Sequence, residues 1–153
     1  MNKPNHLPIC LLVSWVESCG KMQRKCLICG KSLHHGQSKF CSHSCEQQYK
    51  YESYIERWKQ GLEKGMKGEY SLSVYIRRYM LEKADYKCEK CGWNKMNPFT
   101  GKIPLEIEHI DGNYRNNVES NLMVLCPNCH SLTATYKGAN KGNGRKERKK
   151  YYE

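Results

Sequence analysis

Residues 106–113 read EIEHIDGN, and a second histidine closes CPNCH twenty-one residues after the first, at position 130. One carboxylate and one imidazole nitrogen can hold a divalent cation and leave its other positions open to water and phosphate. A further histidine, with a pKa near neutrality, can take a proton from water. With a Lewis-acid cation to relieve charge on the leaving oxygen, that set is the minimum for hydrolysing a phosphodiester. The competing reading is structural: Glu108 and His109 end a strand, His130 starts a helix, and zinc clusters hold a binding module.

Such chemistry needs elements that bring the pieces together. LEIEHI alternates like a short strand, and Asp111-Gly112-Asn113 is a turn signal. The polar loop YRNNVESN leads to a second strand, LMVLC, and CPNCHSLTATYKG follows as a knuckle and helix. The first strand's end and the helix start can face each other across this hairpin. Glu108 and His130 would then share a metal, while strand alternation turns His109 the other way, free to act as a base. Asp111 is read as turn chemistry, Glu106 as a surface residue on Glu108's face, and Arg115 as a loop cation within reach of phosphate.

Ten cysteines in 153 residues need an explanation. Eight fall into close pairs: Cys26/Cys29, Cys41/Cys45, Cys88/Cys91 and Cys126/Cys129. Thiolates two or three residues apart reach one tetrahedral ion, and two pairs complete its coordination. The spacing predicts two structural Zn²⁺ sites rather than a secreted disulfide framework, and hence a reducing cytoplasm. Cys10 and Cys19 are left over, and His34, His35 and His43 are expected as loop histidines because four thiolates already suffice.

The net charge of +11, from 26 Lys and Arg against 15 Asp and Glu, suits a polyanionic partner. It is densest at the end, where Lys137, Lys141, Arg145, Lys146, Arg148, Lys149 and Lys150 face only two glutamates. Apolar residues make up 39% and charged residues 27%, a soluble composition for one or two small domains with thin cores. The run LPICLLVSWV at 7–16 is too short to span a bilayer, so no membrane association is expected. It is read as a non-essential extension over 1–21, a signal-peptide core being the alternative.

Between these parts, Tyr51, Ile55, Trp58 and Leu62 recur at helical spacing in a helix entered after Cys41 and reaching about residue 60. Gly61, Gly65 and Gly68 suggest a linker or loose hinge. Leu72, Tyr75, Ile76, Tyr79 and Met80 mark a second amphipathic helix whose aromatic stripe is core packing. The expected organisation is an extension (1–21), a zinc finger with helix (22–60), a linker and helix (61–85), a catalytic domain (86–137) and a basic tail (138–153).

From Cys88 to Lys137 the sequence resembles the HNH endonuclease family. The family's His-Asn-His order matches His109, Asn121 and His130, within EHIDGN, SNLMVLC and CPNCH. The resemblance implies an α+β protein with a ββα-metal nuclease domain, here preceded by a small four-cysteine zinc finger and a helical arm. It further implies that His109 is the general base, that Asn121 braces its loop, and that Glu108 and His130 hold the catalytic cation. Cys88, Cys91, Cys126 and Cys129 match the structural zinc of cysteine-framed members. Members with three histidine ligands carry another histidine where this chain has Ala134, a departure that favours Mg²⁺ or Mn²⁺ at the catalytic site. The order of finger, helices, GKIPLEIEHIDGN and GANKGNGRKERKK is also similar to small nucleases of phages and their bacterial hosts.

The expected function is therefore metal-dependent cleavage of double-stranded DNA. A monomer would nick, and double-strand cleavage would call for a homodimer. The alternative is a non-catalytic, zinc-dependent DNA-binding or phage packaging-associated protein.

Overall fold

The computed structural model describes residues 24–139 and divides into two compact units, Met1–Cys45 and Glu46–Glu153. The extension over 1–21 and the basic side chains from Lys141 to Lys150 lie outside the described residues. Secondary structure is mixed: three α-helices and two small antiparallel sheets among the described residues. No helix there is long and apolar enough to cross a membrane.

In the first unit the chain turns at Cys26-Leu27-Ile28-Cys29-Gly30. The Gly30 amide donates to the Cys26 carbonyl at 3.0 Å, and Gly30 takes a φ of +70° that favours glycine. A bridge between Lys25 and Ser32 closes the knuckle. Cys26 is the one buried residue among those described in this unit. With Cys26 alone buried among residues 24–45, the four thiols described there are the natural support of that segment's shape.

Helix α1 (His43–Lys59) buries Tyr51, Ile55 and Trp58, the stripe its periodicity predicted. Leu62 departs from that expectation and is 69% exposed. Gly61, at φ +76°, ends the helix, and the Leu62 amide folds back onto the Arg57 carbonyl, which carries Leu62 off the buried face.

The glycine-rich stretch that follows is an ordered hairpin, β1 (Met66–Lys67) against β2 (Ser71–Leu72). Gly65 explains why it is no loose hinge. A Cβ there would come within 2.7 Å of Asn117 Cβ and of Ile76 Cδ1, so only glycine admits the close approach. Ser73 caps α2 (Val74–Lys83), accepting from the Tyr75 amide. Ile76 and Met80 on α2 are fully buried, and Tyr75 and Tyr79 meet Tyr54 and Trp58 ring against ring.

The last elements are β3 (Glu106–His109), β4 (Leu122–Leu125) and the short α3 (Pro127–Ser131). The strands pair antiparallel, with Glu106 opposite Leu125 and His109 opposite Leu122. Val124 and Leu125 are buried in one apolar cluster with Trp58, Ile76, Met80, Leu105, Cys88 and Cys126. The knuckle at Cys88 repeats the first: Gly92, at φ +74°, donates to the Cys88 carbonyl at 2.7 Å. The third Cys-x2-Cys pair has His130 in the glycine's place. Its amide makes the same bond, to the Cys126 carbonyl at 2.9 Å, but the chain continues into α3. That one exchange, glycine for histidine, puts an imidazole at the lip of the cysteine knuckle.

Candidate metal and catalytic site

The eight paired cysteines form two groups of four, Cys26/Cys29/Cys41/Cys45 and Cys88/Cys91/Cys126/Cys129, with all sulfurs in a group within 4.8 Å of one another. Cys29, Cys41 and Cys45 are 3.4, 3.6 and 3.8 Å apart, and Cys91 lies 3.8 Å from Cys126. A tetrahedral ion with bonds of ~2.3 Å sets its ligands ~3.8 Å apart, so both groups can hold zinc. These separations are far beyond a disulfide's ~2.05 Å, and all eight thiols are free. His34, His35 and His43 join neither group.

Their protonation points the same way. The Cys29 amide, with those of Cys41 and Ile28, draws Cys26 down to about 6, whereas hydrogen bonding to the Cys29 thiol pushes Cys41 up to about 12. Burial works against ionisation of Cys88, yet the amides of Cys126, Cys91 and Lys90 bring it down to about 6. Cys129 is pushed up to about 12 by the Cys91 thiol beside it. Four sulfurs this close cannot all ionise without a cation among them, and the backbone is already arranged for thiolates.

Across the hairpin, Glu108 Oε2 lies 2.8 Å from His130 Nε2. Two neighbouring ligands of an octahedral ion with ~2.1 Å bonds stand ~3.0 Å apart, so this oxygen and nitrogen fit one Mg²⁺ or Mn²⁺. The remaining Glu108 oxygen accepts from the hydroxyls of Thr133, at 3.3 Å, and Thr135. The other nitrogen of His130, Nδ1, meets Glu106 Oε2 at 2.9 Å, and the ring stands edge-on to Tyr136. A carboxylate on the far nitrogen fixes the tautomer and leaves Nε2 to face Glu108. Glu106, expected to have only a surface role, is thus a partner of His130, though its side chain remains 51% exposed.

His109 stands one residue beyond Glu108 on β3 and turns away from this pair, as alternation requires. Its Nε2 lies 2.8 Å from Asn117 Oδ1. Asn121 is buried at the foot of β4 and binds the loop that leaves His109. Its Oδ1 accepts from the Asp111 amide at 3.0 Å, and its Nδ2 donates to Asp111 Oδ1 and the Asn116 carbonyl, each at 2.8 Å. Asp111 in turn accepts from the Asn113 amide, the turn role expected of it. Partial burial opposes ionisation of Asp111, but its bonds from Asn116, Asn113 and Asn121 hold the carboxyl below its usual range. Arg115 is exposed on this loop and Lys137 beyond α3.

Thr133, Thr135 and Asn117 were not singled out from the sequence. Glu106 carried a signal, sharing Glu108's strand face two residues away. The threonines carried none, because the turn after α3 that delivers them has no periodicity. Asn117 is one polar residue among several in YRNNVESN.

Two curated relatives are similar to this chain. The H-N-H endonuclease F-TflIV of Escherichia phage T5 is 53% identical over 57 residues, which is 37% of this chain and 24% of that protein. Zorya protein ZorE of Escherichia coli is 31% identical over 85 residues, 56% of this chain and 18% of that protein. The chain therefore spans a quarter or less of the length of either relative. The phage protein bears out the resemblance to HNH endonucleases read from the sequence. No family model matches the chain, and no solved structure matches it.

Proposed function

We propose that the chain is a metal-dependent DNA endonuclease of the HNH type, with β3, β4 and α3 as its ββα-metal unit. The observation that carries the reading is the meeting of Glu108 and His130 at the knuckle, in a chain similar to an H-N-H endonuclease. Glu108 and His130 hold one Mg²⁺ or Mn²⁺, with Thr133 and Thr135 steadying the carboxylate and Glu106 the imidazole. The cation, when bound, relieves negative charge on the scissile phosphate and the departing 3′ oxygen. His109 takes a proton from water as the water oxygen attacks phosphorus, and the P–O3′ bond breaks with its electron pair leaving on oxygen. Asn121 keeps the loop after His109 in place. The two four-cysteine groups each hold a Zn²⁺ as scaffold. Arg115, Lys137 and the tail from Lys141 to Lys150 bind backbone phosphates, which positions DNA without reading its sequence.

The test is relaxation of supercoiled plasmid by the purified full-length protein, with Mg²⁺, Mn²⁺ or a chelator. Metal-dependent nicking is expected. Binding without cleavage under every metal condition would instead support the non-catalytic DNA-binding reading.

Two further outcomes follow from the site. Glu108→Ala and His130→Ala should each raise the Mg²⁺ or Mn²⁺ needed for half-maximal cleavage, because each removes one of two protein ligands. Glu106→Gln should raise it less, by ~10- to 100-fold at most, since it disturbs only the far nitrogen of His130. An unchanged metal titration for Glu108→Ala would remove that residue from the site. Deleting residues 138–153 should weaken DNA binding and flatten its salt dependence, by ~0.9 in logarithmic slope per lost phosphate contact. An equal slope in the shortened protein would dismiss the tail as a phosphate-binding segment.

A further inference from the structure

We infer that Asn117 is a positioning residue that sets the tautomer of His109, an assignment that rests on reading His109 as the general base. Asn117 is buried, 4% exposed, and its Oδ1 lies 2.8 Å from His109 Nε2. The rest of its surroundings decide which end of the amide faces the imidazole. Its Nδ2 lies 3.2 Å from the Lys64 carbonyl and 2.9 Å from Met66 Sδ, and both of those groups can only accept. The amide nitrogen must therefore point to the Lys64–Met66 segment, and the amide oxygen to His109. An oxygen that can only accept requires a hydrogen on Nε2. The neutral ring then carries its lone pair on Nδ1, which is the nitrogen left to take a proton from water.

A flipped amide would set its oxygen against the Lys64 carbonyl and the Met66 sulfur, acceptor facing acceptor. The backbone that carries the amide is held as well, because Trp58 Nε1 donates to the Asn117 backbone carbonyl at 2.8 Å. Asn117 Cβ lies so close to Gly65 that any side chain there would collide with it. Thus α1, through Trp58, holds the backbone of Asn117, while Lys64 and Met66 at the start of the β1 hairpin orient the amide that faces His109. The helical arm contributes to catalysis without touching the reacting atoms. Asn121 acts differently: it binds the loop backbone, whereas Asn117 binds the imidazole itself.

The experiment is a long-range ¹H–¹⁵N spectrum of ¹⁵N-histidine-labelled, zinc-loaded protein free of Mg²⁺ and Mn²⁺, together with kinetics on plasmid DNA. Wild-type His109 should show a protonated Nε2 and an unprotonated Nδ1. Asn117→Ala should give a mixture of both tautomers and lower kcat ~10- to 100-fold, less than the ~10⁴-fold cost of a base locked in its wrong tautomer. KM for DNA, the metal requirement and the zinc content should stay near wild type. Asn117→Asp keeps an acceptor on Nε2 but loses the donor to Lys64. It should retain the tautomer and recover most of kcat even where its Tm is lower.

A wild-type spectrum with the hydrogen on Nδ1 would overturn the assignment, as would an Asn117→Ala protein with unchanged tautomer and kcat. Equal loss of kcat in the Asp and Ala variants would reduce Asn117 to a packing residue and overturn it too. The spectrum needs no cleavage. A wild-type protein that holds Nε2–H yet cuts no DNA would sink the nuclease reading and leave the tautomer assignment standing.

Discussion

His109→Ala should give a folded protein that binds DNA and zinc as before and cleaves ~10²- to 10⁴-fold more slowly. A general base contributes rate, not affinity, so the loss should fall on kcat. The structure explains why folding should survive. The side chain of His109 is half-buried at the end of β3, and its Nε2 bonds to an amide, Asn117, whose other partners hold it in place. The loop after His109 is bound by Asn121 and Asp111 rather than by the imidazole. Cleavage at the wild-type rate by His109→Ala, in a preparation free of host nuclease, would refute the assignment. A variant that loses zinc and unfolds would favour a purely structural strand end.

Removing zinc should have the second large effect. Elemental analysis of dialysed protein should find two zinc ions per chain. A strong chelator should then abolish tertiary structure, since a structural zinc contributes ~10–16 kcal/mol while a whole domain is stable by only ~5–15 kcal/mol. The losses should come in order. Weak chelation should take the cation from the site proposed at Glu108 and His130 and stop cleavage with the fold intact. Stronger chelation collapses residues 24–45, where Cys26 is the only buried residue described. The larger unit goes last, because Cys88 and Cys126 are reinforced by Ile76, Met80, Val124 and Leu125 around them. Thiol titration against circular dichroism reads these stages. Full helicity after both zincs are gone would refute the scaffold role.

Those parts of the molecule governed by local spacing were legible in the sequence. Cysteine pairs fold back on themselves within a few residues, so the two groups of four followed from counting. The buried stripe of α1 followed from period, until Gly61 ended the helix and Leu62 turned outward. The opposition of Glu108 and His109 followed from strand alternation. What was hidden depended on contacts between distant segments. Asn117 matters because Lys64, Met66 and Trp58 come to it from more than fifty positions away. Gly65 looked like a flexible joint because its neighbours, Asn117 and Ile76, were invisible from the chain alone. Thr135 reaches Glu108 across a turn that no periodic pattern announces.

The pairing of β3 with β4 has a consequence for how this protein can change length. Glu108 meets His130 and His109 meets Asn117 because adjacent strand residues point to opposite faces. Loss or gain of one residue within β3 would exchange those faces, sending the carboxylate to Asn117 and the imidazole to His130. Every chemical group would survive, and none would have its partner. Both ends of the hairpin resist such slippage, the closed end through Asn121 and the open end through Cys126 in its group of four cysteines. Indels can therefore be absorbed only where neither anchor pulls, as in the exposed turn around Phe99, which is 96% exposed. Point substitution is the open route for variation in this strand; frame changes within it are closed.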